Sequence, residues 1–232
     1  MRAILLSAGL GTRLRPITDK IPKCLVLINQ KPLIQYWLNC FEKLGIKEIL
    51  INTHYLSGKV EKFIKNFNTK IRCNLKYEEK LMGTGGTLLD NLDFIQDQDC
   101  LFIHADNYCE DDLTKLIASR NKRPSYCLLT MMTFHSENPK SCGVVKVNDN
   151  GVVINYEEKP TRPDSNLANS ACFVLSKDFI QKIRDMNFKG NDFCKDILPF
   201  FVNKIFTYHT KKRFEDIGTI ESLSKINSLI KV

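Results

Sequence analysis

The chain begins with a short apolar strand that runs directly into a glycine loop, and this junction constrains the fold more than any other segment. Residues 3–6 read Ala-Ile-Leu-Leu, and a loop with Gly9, Gly11 and Arg13 follows, with Lys23 ten residues further on. Glycine lets the backbone approach a polyanion, and its N–H groups can bind phosphate oxygens. Because Arg and Lys neutralise the charge, the segment predicts a nucleoside triphosphate site at the end of a strand.

Two better-known phosphate loops are excluded by their spacing. A Walker loop requires GxxxxGK[ST], and the chain contains no Gly-Lys-Ser or Gly-Lys-Thr. A dinucleotide fingerprint requires a third glycine at position 14, which is Leu14. The pattern is instead G-x-G-T-R followed by a Pro22-Lys23 pair.

Composition narrows the class of protein further. The 232 residues are 43% hydrophobic and 26% charged, with no apolar run near the ~18 residues of a membrane helix and no signal-peptide pattern, so we expect a single cytoplasmic domain. The net charge of +8 is dispersed, which favours anionic small molecules over nucleic acid as partners. Nine scattered cysteines without a C-x-x-C predict neither zinc nor disulfides. A homodimer is the default expectation.

Short β runs alternate with helical stretches, which predicts an α/β fold with a mainly parallel central sheet. Residues 143–147 and 152–157 predict a β-hairpin, because Asn150-Gly151 is a hairpin turn signal. Residues 171–175 predict a strand and residues 192–202 a helix. We therefore expect one domain, 1–232, with a nucleotide-binding half (1–135) and a sugar-phosphate-binding half (136–232) that carries the small hairpin lobe.

Asp106 follows a predicted fully apolar strand at 101–105. Carboxylates at the carboxyl end of central strands in an open α/β sheet face the ligand crevice. Asp216 lies in a second segment, Phe214-Glu215-Asp216-Ile217-Gly218-Thr219. Taken singly, each aspartate could equally cap a loop or a helix.

Five motifs in order resemble the sugar-1-phosphate nucleotidyltransferases, the enzymes that make nucleotide sugars. The resemblance extends from residue 3 to about residue 225. The motifs are the glycine loop with Lys23, the run 79–87 (Glu-Lys-Leu-Met-Gly-Thr-Gly-Gly-Thr), the strand that ends in Asp106-Asn107, the pair formed by Gly143-Val144-Val145 and Glu158-Lys159-Pro160, and the segment around Asp216. Small departures are Met82, Gly85, Ala105, Ala171 and Phe214, each at a position where the family usually has another residue.

The resemblance implies a Rossmann-like three-layer sandwich and assigns a role to each motif. Asp106 and Asp216 would hold Mg²⁺ on the nucleotide phosphates, a role that suits two hard carboxylates. The implied catalytic residues are Arg13, Lys23 and Lys159. The implied nucleotide-binding residues are Leu6, Ala8, Gly9, Gly11, Thr12, Arg13, Lys23, Glu79 and Gly83. The implied sugar-binding residues are Gly143, Glu158, Lys159 and Asn169.

The implied reaction is attack by a sugar 1-phosphate on the α-phosphorus of an NTP, which gives a nucleotide sugar for cell-surface polysaccharide synthesis and pyrophosphate. A phosphate monoester is already ionised at neutral pH, so no general base is needed. Because Glu79 can accept from guanine and the Gly-Thr-Gly-Gly loop resembles the guanylyl and heptose-phosphate branches, GTP with mannose or manno-heptose 1-phosphate is favoured. Thymidylyl, cytidylyl or uridylyl transfer to another sugar 1-phosphate remains the alternative.

Two other classes of function stay open at this point. A metal-dependent glycosyltransferase also binds nucleotides on an α/β sheet, but it would need Asp-x-Asp where this chain has Asp106-Asn107-Tyr108. A non-catalytic nucleotide-sensing subunit would bind the nucleotide without turnover. Release of pyrophosphate distinguishes both from a nucleotidyltransferase.

Overall fold

The computed structural model of the chain describes residues 1–230. The strands are β1 (Arg2–Leu6), β2 (Leu27–Ile28), β3 (Lys31–Pro32), β4 (Glu48–Thr53), β5 (Arg72–Tyr77), β6 (Cys100–His104), β7 (Asn107–Cys109), β8 (Leu129–His135), β9 (Gly143–Val147), β10 (Val153–Glu158), β11 (Leu167–Leu175), β12 (Ile205–His209) and β13 (Phe214–Asp216). The helices are α1 (Ile17–Lys20), α2 (Leu33–Lys43), α3 (Ser57–Asn66), α4 (Gly83–Asp90), α5 (Leu92–Ile95), α6 (Leu113–Ala118), α7 (Lys177–Asp185) and α8 (Ile220–Leu229). The mixture, with parallel pairs β1–β4, β4–β5 and β8–β12, confirms the predicted α/β class. None of the helices described is both long and apolar enough to cross a bilayer.

The chain forms two compact units whose segments interleave along the sequence. The N-terminal unit comprises Ala3–Leu81, Ile103–Asp111 and the segment from Lys212 onward. The hairpin unit comprises Met1–Arg2, Met82–Phe102 and Asp112–Lys211. These bounds differ from a division at residue 135, because the segment that carries α4 and α5 belongs to the hairpin unit.

In the N-terminal unit, parallel strands run in the order β1-β4-β5. Leu6 at the end of β1 pairs with Asn52 of β4, and Asn52 pairs with Lys76 of β5. The loops that follow these strands therefore start from one edge of the sheet, which is where open α/β sheets bind ligands.

The core of this unit is built from helices with one apolar face. In α2, Leu33, Ile34, Trp37, Leu38 and Phe41 are all buried, and their spacing matches the helical period. Leu33 belongs to a cluster of buried side chains that also brings in the C-terminal helix α8; its members are Leu14, Val26, Ile28, Leu33, Tyr108, Ile217, Leu223 and Ile226. This cluster supports the glycine loop on one side and the segment after β13 on the other.

In the hairpin unit, β9 and β10 pair antiparallel, and β11 pairs antiparallel with β8. The predicted hairpin is confirmed: Gly151 adopts a positive φ of 72°, and the Asn148 side chain accepts from the N–H groups of Asn150 and Val152. The core is aromatic, with the Phe193 ring centroid 5.0 Å from those of both Phe102 and Phe173.

Two predicted elements of this unit differ from the structure. The predicted helix at 192–202 is a π turn (Phe193–Ile197) followed by a 3₁₀ turn (Leu198–Phe201), and Pro199, which has no N–H to donate, lies where a regular helix would have to continue. The strand predicted at 171–175 begins earlier, at Leu167, and its register shifts between Asn169 and Phe173. Ala171 in this irregular stretch has a positive φ of 55°, which the apolar pattern alone does not reveal.

Candidate active site

The glycine loop leaves β1 at a position fixed by hydrogen bonds to β4. The Ser7 N–H donates to Asn52 Oδ1 over 2.7 Å, and the Ser7 hydroxyl donates to the Asn52 carbonyl over 2.5 Å. Asn52 is only 4% exposed, so this contact is shielded from water. The predicted contact residues Leu6 and Ala8, on either side of Ser7, are themselves buried.

The two glycines of the loop have different reasons to be glycine. Gly11 has a positive φ of 65°, and a Cβ there would lie 2.9 Å from Thr18 Cγ2. The Thr18 hydroxyl donates to the Gly11 carbonyl over 2.7 Å, which holds the turn before Thr12. A Cβ on Gly9 would meet no atom within 4 Å. Gly11 is therefore required by the turn, whereas the backbone at Gly9 is open to a ligand.

Lys23 lies between the two predicted metal ligands. Its Nζ is 2.7 Å from Asp106 Oδ2 and 3.7 Å from Asp216 Oδ1. The lysine side chain is 10% exposed, whereas those of Asp106 and Asp216 are 38% and 48% exposed. The Lys23 side chain is thus largely buried, whereas both carboxylates are partly accessible to solvent.

Backbone pairing brings the two aspartates together across a long stretch of sequence. Asp216 ends β13 and pairs with Asn107 of β7, and the Ile217 N–H donates to the Asp106 carbonyl over 3.0 Å. The resemblance had assigned both residues to one metal, and the structure places both carboxylates around one amine. We refer to Lys23, Asp106 and Asp216 as the carboxylate–lysine cluster.

The two carboxyl groups differ in their electrostatics. Burial works against ionisation of Asp106, but the charges of Lys23 and His104 and the Lys23 hydrogen bond lower its pKa below the ordinary value. Burial and the neighbouring Asp106 raise the pKa of Asp216, against the opposing charges of Lys23 and Arg13. The pKa of Asp216 stays raised although Lys23 and Arg13 both oppose the rise, so a further cation would stabilise the ionised pair.

The donor set fits Mg²⁺ bound together with a nucleotide. Magnesium takes six oxygen ligands and keeps several waters, using one or two carboxylates plus substrate phosphates. Asp106 and Asp216 supply two carboxylates, and no group of three or more His, Cys, Asp or Glu side chains that could hold a metal occurs in the described part of the chain. The remaining ligands would have to come from phosphate and water.

Arg13 reaches the same cluster because Gly218 leaves room for it. A Cβ on Gly218 would lie 3.0 Å from both Arg13 Nη2 and Asp216 Oδ2. A side chain at position 218 would therefore push the guanidinium and the carboxylate apart. The sequence motif included Gly218, but only the packing assigns it this role.

The carboxylate next to the glycine loop is Glu78, one residue before the predicted Glu79. Glu79 is exposed. Glu78 is 3% exposed, and its Oε1 accepts from Asn52 Nδ2 over 2.9 Å, so a line of hydrogen bonds runs from Glu78 through Asn52 to Ser7. Its position directly after β5, beside the end of β4, is the signal that could have identified Glu78.

In the hairpin unit, Gly83 begins α4 against the backbone at Asn191. Its φ is +73°, and a Cβ there would overlap the Asn191 carbonyl oxygen. The Gly85 N–H donates to the same oxygen over 2.8 Å. The glycines of this run are thus required by packing within the unit; the expected contact of Gly83 with a base stays a prediction.

The predicted sugar residues of the hairpin unit lie around the end of the hairpin. Gly143 and Glu158 are cross-strand partners in the β9–β10 pair. Lys159 follows with a positive φ of 51°, and its Nζ is 3.9 Å from Glu158 Oε1. Asn169 belongs to the irregular stretch of β11, where its Oδ1 accepts from the Ala171 N–H over 2.9 Å.

Two residues that sequence reasoning missed connect this group. The buried Tyr156 hydroxyl donates to Glu158 Oε2, and Asn169 Nδ2 donates to the buried Cys194 Sγ over 3.4 Å. Tyr156 precedes Glu158 by two residues on the same strand, so period-two alternation could have placed both side chains on one face. Nothing in the sequence pointed to Cys194.

Comparison with known proteins decides the family. The family model described as nucleotidyl transferase matches residues 2–231. The chain belongs to the nucleotidyl transferase family. The predicted class of enzyme is thereby confirmed.

The similar proteins are named for different nucleotides and sugars. The chain is 30% identical over 178 residues to D-glycero-alpha-D-manno-heptose 1-phosphate guanylyltransferase of Campylobacter jejuni, covering 77% of each chain. It is 27% identical to UTP–glucose-1-phosphate uridylyltransferase of Synechocystis, covering 90% of this chain and 59% of that protein. The crystal structure of HddC from Yersinia pseudotuberculosis complexed with GMP-PN matches with a TM-score of 0.79 and 27% identity, covering 99% of each chain.

Proposed function

We propose that the protein transfers a nucleotidyl group from an NTP to a sugar 1-phosphate, with GTP and a manno-configured hexose or heptose 1-phosphate as the favoured pair. The sugar phosphate oxygen attacks the α-phosphorus, the bond from that phosphorus to the bridging oxygen of the β-phosphate breaks, and pyrophosphate leaves. The observation that carries the proposal is the carboxylate–lysine cluster in the same unit as the glycine loop. The cytoplasm, where NTPs are supplied, is the expected compartment.

The reaction's main difficulty is the approach of two anions, and the residues match that difficulty. Positioning and electrostatics supply most of the catalysis in phosphoryl-type transfer. The open backbone at Gly9 and the Arg13 guanidinium would bind the triphosphate and the departing pyrophosphate. Lys23 would bind the α-phosphate and the incoming phosphate, and Lys159 would bind the phosphate of the acceptor.

Asp106 and Asp216 would hold Mg²⁺. When bound there, the ion would polarise the α-phosphate and neutralise charge that develops on it. Within the N-terminal unit, Lys23 would keep Asp106 ionised whether or not the metal is bound, because its amine is 2.7 Å away. No His or other general base is assigned, since the attacking phosphate is already an anion.

Two observations support guanine over other bases. A relative over most of the chain is a heptose 1-phosphate guanylyltransferase, and a matching structure was solved with GMP-PN. The exposed Glu79 is an acceptor of the kind that guanine's N1–H and amino group require. The uridylyltransferase among the relatives keeps UTP as the alternative.

The test is pyrophosphate release with Mg²⁺, using each of GTP, dTTP, CTP, UTP and ATP against a panel of sugar 1-phosphates. Release that needs both substrates, and is fastest with GTP and a manno-configured sugar phosphate, is the expected result. Fastest release with UTP would instead support the alternative, uridylyl transfer to a sugar 1-phosphate. Tight NTP binding without release from any pair would instead favour a nucleotide-sensing protein.

A further inference from the structure

Next to Glu158 lies a line of polar side chains that the proposed reaction does not use; its members are Tyr156, Cys194 and Asn169. The Tyr156 hydroxyl donates to Glu158 Oε2, and Tyr156 is 8% exposed. The Glu158 side chain is 16% exposed, so one end of the carboxylate is covered while the other reaches outward. A hydrogen bond from a buried donor to an ionised acceptor is among the stronger kinds in proteins.

Cys194 lies beside this tyrosine. Its buried thiol is close enough to the Tyr156 hydroxyl that each group alters the pKa of the other. The single proton of the phenol goes to Glu158. Burial raises the pKa of Cys194 to about 12, so the group beside the tyrosine is a neutral thiol.

Asn169 closes the inner end of the line. Its Nδ2 donates to Cys194 Sγ over 3.4 Å, and its Oδ1 accepts from the Ala171 N–H over 2.9 Å. The backbone bond fixes which way the amide points, because only the nitrogen is left to face the sulfur. Asn169 is thus a donor to Cys194, as Tyr156 is a donor to Glu158.

The two carboxylate oxygens of Glu158 therefore have different partners. Oε2 is occupied by Tyr156, and Oε1 lies 3.9 Å from Lys159 Nζ. Gly143 leaves space beside this arrangement: a Cβ there would lie 2.7 Å from Glu158 Oε2 and closer still to the Tyr156 hydroxyl. A rotated carboxylate would lose the tyrosine bond, so Oε1 has a defined direction.

We propose that Tyr156 is a positioning residue for the acceptor, and that it fixes Glu158 so that Oε1 accepts a hydrogen bond from one hydroxyl of the sugar. This inference rests on the proposed function and deepens it. The line selects for sugar 1-phosphates that present a hydroxyl donor at one place and disfavours analogues that lack it. Specificity of this kind is strong, because the missing hydroxyl would leave a carboxylate oxygen unpaired.

The test compares Tyr156→Phe with the wild type on whichever sugar 1-phosphate the wild type uses. We expect KM for the sugar 1-phosphate to rise about tenfold, with KM for the NTP and kcat changed less than about twofold. Discrimination between that sugar 1-phosphate and its monodeoxy analogues should shrink by a similar factor. Tyr36→Phe is the matched control, because its hydroxyl donates to the Ile28 carbonyl over 2.8 Å in the other unit.

A cysteine variant and thermal unfolding guard against a loss of folding. Cys194→Ser leaves the Tyr156–Glu158 hydrogen bond in place and should retain a sugar KM within about threefold of the wild type. Thermal unfolding of each variant shows whether a loss reflects the fold. A tenfold rise in the sugar KM of Cys194→Ser at unchanged thermal stability would show that the bond to Glu158 is not what sets KM, and the inference would be wrong.

The failure of this inference is distinguishable from failure of the proposed function. A wild type that releases pyrophosphate only with a sugar 1-phosphate, together with an unchanged sugar KM in Tyr156→Phe, overturns the positioning role and leaves the function standing. A wild type that releases none with any sugar 1-phosphate overturns the proposed function, and the inference falls with it. A rise in the NTP KM of Tyr156→Phe equal to that for the sugar would also contradict the assignment.

Discussion

The two units hold their polar groups by opposite means. The carboxylate–lysine cluster of the N-terminal unit is made of full charges: Lys23 contacts both carboxylates, and Arg13 approaches Asp216. The group around Glu158 in the hairpin unit is made mainly of neutral side chains, with hydrogen bonds from Tyr156 to Glu158 and from Asn169 to Cys194. The first arrangement leaves the pKa of Asp216 raised and suits a metal–phosphate complex. The second holds one carboxylate in place and suits a neutral hydroxyl.

Because of this difference, we expect the two units to be sensitive to different kinds of substitution. A charged cluster near water tolerates small displacements, since Coulomb attraction falls off slowly, but it does not tolerate loss of a charge. A buried line of hydrogen bonds tolerates no displaced atom, because each bond depends on distance and angle. We therefore expect loss of a charge to impair the N-terminal unit, and addition of a single methyl group to impair the hairpin unit.

The largest expected effect comes from deleting a charge in the N-terminal unit. Lys23→Ala or Asp106→Ala should lower turnover by roughly 10²-fold or more, the range for a lost charge-stabilising group. Steady-state pyrophosphate release measures it, with Lys65→Ala on the exposed face of α3 as the control. Turnover near the wild-type rate in either variant would remove the cluster from the reaction.

The matching change in the hairpin unit adds one methyl group. Gly143→Ala would place a Cβ 2.7 Å from Glu158 Oε2 and against the Tyr156 hydroxyl. We expect KM for the sugar 1-phosphate to rise about tenfold or more, because losing a hydrogen bond to a charged group costs about 1.5–3 kcal/mol. NTP affinity, measured by calorimetry, should stay unchanged. Equal losses for both substrates would mean that the methyl group disturbs more than this line.

A substitution at Gly83 tests whether this glycine is needed for packing or for ligand binding. Gly83→Ala combines a positive φ with an overlap on the Asn191 carbonyl, so we expect a loss of about 1–3 kcal/mol in the free energy of unfolding even without nucleotide. Gly58→Ala in α3 is the control, since a Cβ there meets nothing within 4 Å and alanine favours helix. A Gly83→Ala protein of unchanged stability but weakened NTP binding would assign this glycine to the nucleotide alone.

The smallest effect concerns the raised pKa of Asp216. Burial and Asp106 raise the pKa of Asp216, so the folded state binds this proton more tightly than the unfolded chain does. Stability is therefore lost as the pH rises through the ordinary Asp pKa to the raised one. At pH 7 without Mg²⁺, Asp216→Asn should be more stable by up to about 1 kcal/mol, since the group is half exposed. Denaturant unfolding would show the gain at pH 7 and none in strong acid; a destabilised variant at pH 7 would contradict the raised pKa of Asp216.

Much of the fold could be predicted because its signals are local. The helical spacing of Leu33, Trp37 and Phe41 predicted α2, and the Asn150-Gly151 turn predicted the hairpin. The predicted helix at 192–202 was wrong in type: the segment is a π turn followed by a 3₁₀ turn, because Pro199 has no N–H with which to continue a regular helix. The Ala171 irregularity could not be predicted, since a positive φ at alanine is imposed by its surroundings.

Residue types and their spacing were enough to predict the chemical groups of the site: a glycine loop with Arg13 and Lys23, two aspartates, and the Glu158-Lys159 pair. Such patterns are read without knowing which residues are neighbours in space. Three features appear only in the folded chain: Lys23 contacts both aspartates, Glu78 and not Glu79 is linked to the loop, and Tyr156 donates to Glu158. The physical reason is that burial, hydrogen-bond direction and shared charge depend on residues far apart in the chain, and only folding brings those residues within bonding distance.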